Sequence, residues 1–339
     1  MARNRVLVLC TGGTIGMIPR NPFDASSPLV AAPWEKLCEM LPALERLPFA
    51  TDFDAMRLID SSDMGPDYWV ELAQRIENAY RKYDGFVILH GTDTMAYTAS
   101  ALSFMFENLG KAVVLCGARH PFRTPGGDAE HNFLAALRVA ARQPPIPEVC
   151  IVAGETIVRG NRARKAFSTS VFTSPRFPVL GRIIPVWRID EESIRPAPRG
   201  RLRVRRPIER NVFMLHLYPG ITSEYLRHVL RAKGLRGVVL LTFGAGNAPT
   251  APAIRRALTE AVARGIALVN VTQCYGGRVD MGIYDAGAQL LEIGLINGGD
   301  MTPEAAFTKL QVVLGMTSDM DEIRLLMQAD WAGERTRIS

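Results

Sequence analysis

Two threonines bracket a pair of glycines in "CTGGTIG", Cys10 to Gly16, directly after the apolar run "RVLVL". A hydroxyl delivered where a strand ends can act as a nucleophile. A Gly-rich turn at the same place can instead cradle a phosphate, because glycine admits φ > 0 and lets a ligand approach the backbone. Two more apolar runs end in polar residues: "VILHGTDTMAYTAS" delivers His90, Thr92, Asp93 and Thr94, and "VVLCGARHP" delivers Gly117, Ala118 and Arg119. "DSSDM", residues 60–64, adds the hydroxyls of Ser61 and Ser62 ahead of a helix start. A threonine hydroxyl is a weak nucleophile unless a base takes its proton or the developing oxyanion is held, so a second polar cluster must lie nearby. Thr92 and Asp93 can supply part of it, and a lysine withdrawn from water beside them would complete it, since burial disfavours an ammonium and makes a neutral amine available. Backbone N–H groups at the Gly91-Thr92 and Gly117-Ala118 turns can hold an oxyanion.

Each residue also has a plainer reading. Thr11 and Thr14 can bond turn backbone, and Asp93, Ser61 and Ser62 are common helix-cap types. An isolated lysine such as Lys165 is usually solvated, and His90, His120 and His131 read as packed structural histidines. The nucleotide-binding reading is disfavoured, since "TGGTIG" lacks the GxGxxG spacing and no acidic residue follows a second strand about 20 residues on.

The elements that must position these groups alternate along the chain. "RVLVLC", "GFVILHG", "AVVLCGA" and "EVCIVAGE" read as strands. "PDYWVELAQRIENAYRKY" places Leu72, Ile76 and Tyr80 on one helical face, and "AEHNFLAALRVAARQ" follows the same pattern. In the second half "LRGVVLLTFGAGNAP", "IALVNVTQC" and "SDMDEIRLLMQ" repeat the alternation, with Ser318 and Asp319 as candidate caps. Such alternation predicts an α/β protein with a parallel sheet, and 339 residues at 47% hydrophobic content suit two domains. "SIRPAPRGRLRVRRPIER" has no helical period and reads as a basic linker, dividing the chain into 1–190, 191–211 and 212–339.

Forty Lys+Arg against thirty-four Asp+Glu leave +6, too mild an excess to single out nucleic acid. The five cysteines form no CxxC pair, which suggests neither a zinc site nor a disulfide framework, and they read as thiols in a reducing cytoplasm. No segment has the apolar length of a signal peptide core or a membrane span.

At these residues the sequence closely resembles the bacterial asparaginase/glutaminase family, and within it the cytoplasmic type I L-asparaginases. "TGGTIGM", "DSSDM", "DGFVILHGTDTMAYTASALSFM", "RGNRARK", "YPGI", "GAGNAP" and "VTQC" look like that family's blocks in that family's order. The resemblance implies a larger N-terminal flavodoxin-like domain with a parallel or mixed sheet, and a smaller C-terminal Rossmann-like domain. It implies Thr14 as nucleophile, Thr92, Asp93 and Lys165 as the second catalytic group, and Asp60, Ser61, Ser62, Gly91, Ala118 and Asn247 as substrate-binding positions. The implied activity is hydrolysis of L-asparagine to L-aspartate and ammonia by a homodimer or homotetramer, without cofactor or metal.

Three departures stand out. The stretch "MIPRNPFDASSPLVAAPW", expected to be an irregular lid over residues 17–33, carries no tyrosine, and Phe23 is the nearest ring. Ala163 and Arg164 precede the lysine where threonines are usual, and Ala118-Arg119 replaces a Ser-Gln pair. The alternative readings are a silent amino-acid sensor with the same pocket and the asparaginase-like subunit of a tRNA-dependent amidotransferase. The latter carries an extra N-terminal domain, whereas this sequence reaches "RVLVLC" within five residues.

Overall fold

Runs of Val, Leu and Ile without polar alternation form strands that are buried on both faces, and helices must cover them. The computed structural model describes residues 4–21, 27–168, 172–183 and 186–336. It divides into two units, one reaching Ser174 and including Pro178–Val204, the other holding Pro175–Phe177 and the chain from Arg205 on.

The first unit opens with β1 (Arg5–Cys10), β2 (Met17–Pro19), β3 (Leu29–Ala31), α1 (Trp34–Met40), β4 (Ala50–Ala55) and α2 (Pro66–Ala79). It continues with β5 (Gly85–Leu89), α3 (Met95–Met105), β6 (Phe106–Glu107), β7 (Ala112–Cys116), α4 (Ala129–Ala140) and β8 (Val149–Ala153). Short strands follow: β9 (Thr156–Arg159), β10 (Arg164–Lys165), β11 (Phe172–Thr173), β12 (Gly181–Arg182), β13 (Arg188–Ile189) and β14 (Arg203–Val204). The main sheet has the order β13-β12-β9-β8-β7-β5-β1-β4. From β4 to β8 neighbours run parallel, and from β8 to β13 they run antiparallel, so the sheet is mixed. The residues of β5, β7 and β8 are buried throughout. α3, apolar nearly all round, is covered except at Tyr97, as its lack of a polar face requires.

Three sequence expectations change here. The helix expected over 66–83 ends at Ala79; Tyr80 closes it and spends its hydroxyl accepting from Gly110 N at 2.7 Å. The stretch expected to be irregular pairs as the antiparallel ladder β2–β3, with Ile18 opposite Val30, where β-branched side chains favour extended backbone. Phe23 and Ser26 lie outside the described residues. The stretch read as a linker is bound along part of its length, through β14 pairing with β6 and Arg195 N donating to Glu148 at 2.7 Å. Glu148 also takes the buried Arg159 guanidinium, a local commitment that composition cannot reveal.

The second unit carries β15 (Val212–His216), α5 (Ser223–Leu230), β16 (Gly237–Thr242), α6 (Pro252–Ala263), β17 (Ala267–Thr272), α7 (Asp285–Ile293), β18 (Ile296–Asn297), α8 (Pro303–Met316) and α9 (Met320–Gln328). Its four strands run parallel in the order β15-β16-β17-β18. Of the two candidate caps for α9, Asp319 takes the role, accepting from Asp321 N and Glu322 N. Arg176 belongs to this unit, its guanidinium donating to the carbonyls of Thr272, Cys274, Tyr275 and Met301. No helix among the described residues is long and apolar enough to cross a membrane.

The end of the second unit is held by a fully buried pair, Lys309 Nζ to Glu334 Oε1 at 2.5 Å, with Met327 O and Ala329 O also accepting from the ammonium. Removing one partner strands a buried charge. Lys309→Met is therefore expected to cost about 3–5 kcal/mol in urea unfolding, and Lys309→Met with Glu334→Leu to recover much of it.

Candidate active site

Parallel pairing aligns the exits of four strands. Cys10 lies opposite both Leu89 and Ala55, and Leu89 lies opposite Cys116. The chains leaving β1, β5 and β7 therefore start at one level, and their first residues, Thr11, His90 and Gly117, stand side by side. Backbone bonds continue the ladder past the strands: Thr11 N donates to Leu89 O at 3.0 Å, and His90 N to Cys116 O at 2.9 Å. Beyond β4, Met56 N donates to Cys10 O and Ile59 N to Thr11 O. This brings the "DSSDM" stretch to the same edge, where ligands of open α/β sheets sit.

Glycines let these turns nest. A Cβ at Gly13 would lie 2.4 Å from Gly91 N, one at Gly91 would lie 2.5 Å from Ser61 Oγ, and one at Gly117 would lie 2.4 Å from His90 O. The first turn thus packs backbone to backbone on the second, the second on Ser61, and the third on the second. Gly13 also has φ +80°, which an L side chain rarely adopts.

The two threonines of the first turn separate at once. Thr11 is buried, and its Oγ1 donates to Leu89 O at 2.9 Å, the plainer reading. Thr14 begins a 3₁₀ turn, Thr14–Gly16, is half-buried, and its hydroxyl has no partner among the described residues. At the second exit, Lys165 Nζ donates to Thr92 Oγ1 at 2.9 Å and to Asp93 Oδ1 at 2.6 Å. The three predicted partners meet although Lys165 is 73 residues from Thr92 in sequence. The Lys165 side chain is 17% exposed, so it is only partly withdrawn from water, while Asp93 is 70% exposed. β10 carries Lys165 and is braced by β11, with Lys165 opposite Phe172.

In "DSSDM", Asp60 Oδ1 accepts from Ser62 N at 2.8 Å and from Ser62 Oγ at 2.6 Å, capping the turn Ser61–Asp63. The Ser62 hydroxyl and backbone N–H hold the Asp60 carboxyl below its usual range. Ser61 is buried against Gly91, and its carbonyl accepts from Thr94 Oγ1 at 2.6 Å, which ties this turn to the start of α3. Ala118 is buried at the third exit. Asn247 belongs to the second unit, in a turn closed by Asn247 N donating to Phe243 O at 2.8 Å. Behind that turn, buried Asn270 donates to Gly246 O at 2.9 Å.

Two supporting residues escaped the sequence reading. Asn132 Nδ2 donates to Gly117 O and its Oδ1 accepts from Gly154 N, both at 2.9 Å, which locks the third exit to the β8–β9 turn. Asp128 accepts from Arg119 N and His120 N. The signal for Asn132 was its place in the apolar stripe of α4, with Phe133, Ala136 and Leu137.

Known proteins show the same two-part plan. The asparaginase N-terminal model matches residues 5–194, and the glutaminase/asparaginase C-terminal domain model matches 211–327. The chain belongs to the asparaginase family. It is 40% identical over 343 residues to L-asparaginase 1 of Escherichia coli, covering 99% of both chains. The structure of L-asparaginase I from Vibrio cholerae superposes with a TM-score of 0.91 at 40% identity, over 99% of this chain and 100% of that one. A glutamyl-tRNA(Gln) amidotransferase subunit of Pyrococcus abyssi is 35% identical over 98% of this chain and 76% of that protein. Membership of this family and the full-length likeness to L-asparaginase 1 support amide hydrolysis, and the nested exits bring polar groups of the first unit together.

The nesting itself is testable. Gly91 does not have a positive φ, so Gly91→Ala fails only through the contact with Ser61. It is expected to cost about 1–3 kcal/mol. Adding Ser61→Gly should restore part of that stability, a non-additive pair measurable by urea unfolding.

Proposed function

We propose that the protein hydrolyses L-asparagine to L-aspartate and ammonia through an ester on Thr14. The observation that carries this reading is the Thr92–Lys165–Asp93 group standing at the exit next to a threonine hydroxyl that no backbone group has claimed. Thr14 Oγ1 attacks the carboxamide carbon and gives its proton to Thr92 Oγ1 as Thr92 passes its own to Lys165 in the amine form; the ammonium that results is held by Asp93 and returns the proton for the leaving nitrogen. The carbon–nitrogen bond breaks, the nitrogen takes a proton and leaves as ammonia, and water then cleaves the β-aspartyl ester. Donors at the Gly91-Thr92 and Gly117-Ala118 turns stabilise the oxyanion of both steps.

The zwitterionic part of the substrate needs one anionic and one donor-rich subsite. Asp93 gives one oxygen to Lys165 and offers the other to the substrate ammonium. Ser61 and the backbone around residue 61 take the α-carboxylate, with Ser62 in support because its own hydrogen is directed at Asp60. Asn247 of one copy contributes to the site of a neighbouring copy, in a cytoplasmic homodimer or homotetramer.

Purified protein is expected to release ammonia from asparagine in a coupled assay, with no tRNA or partner protein added. Glutamine run alongside gives the amide preference. Aspartate binding without turnover would favour the sensor reading, for which the absent lid tyrosine speaks. Thr14→Ala should lower turnover by roughly 10²-fold or more at unchanged stability. A folded Thr14→Ala protein with near-normal turnover would overturn the nucleophile assignment.

Lys165→Met should remove most activity, because both hydrogen bonds are lost while apolar volume is kept. Lys165→Arg distinguishes the roles of the lysine. A guanidinium keeps the ion pair but does not give up its proton, so activity restored by arginine would reduce Lys165 to a positioning charge.

A further inference from the structure

Behind the second exit lies a buried polar chain that the proposed chemistry does not touch. Trp69 Nε1 donates to Thr98 Oγ1 at 3.0 Å, His90 Nε2 lies 2.9 Å from the same oxygen, and His90 Nδ1 lies 2.6 Å from Gly91 O. Trp69 comes from α2, Thr98 from α3 and His90 from the end of β5. His90 and Thr98 have no solvent exposure, and Trp69 has 4%.

The ends of this chain and its burial together set the direction of its bonds. A carbonyl can only accept, so Nδ1 carries a hydrogen, and an indole N–H can only donate, so the Thr98 hydroxyl accepts from Trp69. Burial pushes the imidazole down to about 4 and keeps the ring neutral. Nε2 is then bare, and the Thr98 hydroxyl sends its own hydrogen to it. Each polar atom of the chain has its partner, so three separate pieces of the fold specify a single arrangement.

Gly91 needs such a restraint. It is a glycine because Ser61 leaves no room for a Cβ, and a glycine on its own holds its peptide loosely. The Gly91–Thr92 amide is planar and trans, so a carbonyl held toward the imidazole turns Thr92 N–H the opposite way. The same plane sets where Thr92 begins, and Thr92 Oγ1 is the atom that accepts from Lys165.

We infer that His90, oriented by Thr98 and Trp69, is a positioning residue that fixes the Gly91–Thr92 peptide, and that its loss lowers turnover while leaving substrate binding nearly intact. This inference rests on the proposed asparagine hydrolysis with Thr92 in the proton-transfer group. The imidazole itself touches neither substrate nor the reacting atoms.

The test compares His90→Leu, His90→Asn, Thr98→Val and Thr98→Ser, with wild type and Thr14→Ala as controls. His90→Leu removes the donor to Gly91 O, and kcat is expected to fall about tenfold with KM changed less than about twofold. Asparagine places an amide N–H near the Nδ1 position, so His90→Asn should recover most of the loss. Thr98→Val should lower kcat about threefold, and Thr98→Ser should match wild type. Near-wild-type kcat in folded His90→Leu, a rise in KM as large as the fall in kcat, or no recovery in His90→Asn would each overturn the inference. Nitrogen NMR of the His90 ring tests the same arrangement without turnover. A hydrogen on Nδ1 and a bare Nε2 are expected in wild type; a hydrogen on Nε2 would overturn the inference even if wild type proved inactive.

Discussion

The register of the parallel ladder, with Cys10, Leu89 and Cys116 abreast, is the constraint from which the candidate site follows. It is maintained by backbone bonds between strands buried on both faces, where a slip of one residue would misplace every side chain. Three chain exits at one level would ordinarily collide. Glycines at 13, 91 and 117 remove the atoms that would meet, and the turns close onto each other's backbone. Groups far apart in sequence thereby come within hydrogen-bonding reach without any of them lying in the sheet itself.

Charge is spent sparingly in this arrangement. Lys165 is shared between a hydroxyl and a carboxylate, which orients both while leaving Asp93 largely exposed to a ligand. Asp128 sits at the third exit and occupies the N–H groups of Arg119 and His120, so neither is available as an oxyanion donor in the proposed reaction. Among the hydroxyls, Thr11 and Thr94 are committed to backbone carbonyls of neighbouring segments and Ser62 to Asp60. For the proposed reaction, hydrogen bonding thus narrows the choice of hydroxyl more sharply than residue type does.

How far the sequence could be read follows from where the information resides. β1, β5, β7 and β8 announce themselves as apolar runs, and polar residues directly after them mark the exits, so Thr14, Thr92, Asp93 and Ala118 were legible from pattern and place. Lys165 was legible only through the resemblance of "RGNRARK" to a family block, since its ladder is two residues long and depends on β11. β12, β13 and β14 are equally short. Their pairing is decided by distant contacts such as Arg159 with Glu148, and no local periodicity records it. Asn132 was hidden for the opposite reason: it sits in an apolar stripe, and the helix pattern around it was strong enough to absorb it.

The plain and the functional readings of these residues turn out to be compatible, and Asp60 shows why. It caps the Ser61–Asp63 turn, as aspartates often do, and the cap consists of two hydrogen bonds to its ionised oxygen. Those bonds stabilise the charged form, so the carboxylate keeps its charge to a lower pH than a free aspartate would. Whatever stability the cap contributes is present above the ordinary carboxylate pKa and is lost as pH falls through the depressed one. The turn that presents Ser61 to Gly91 is thus held by the same negative charge that sits at the rim of the site. A fold that builds its turns from capping carboxylates and hydroxyls places chemistry at its strand ends as a consequence of closing them, and a residue needs no choice between the two roles.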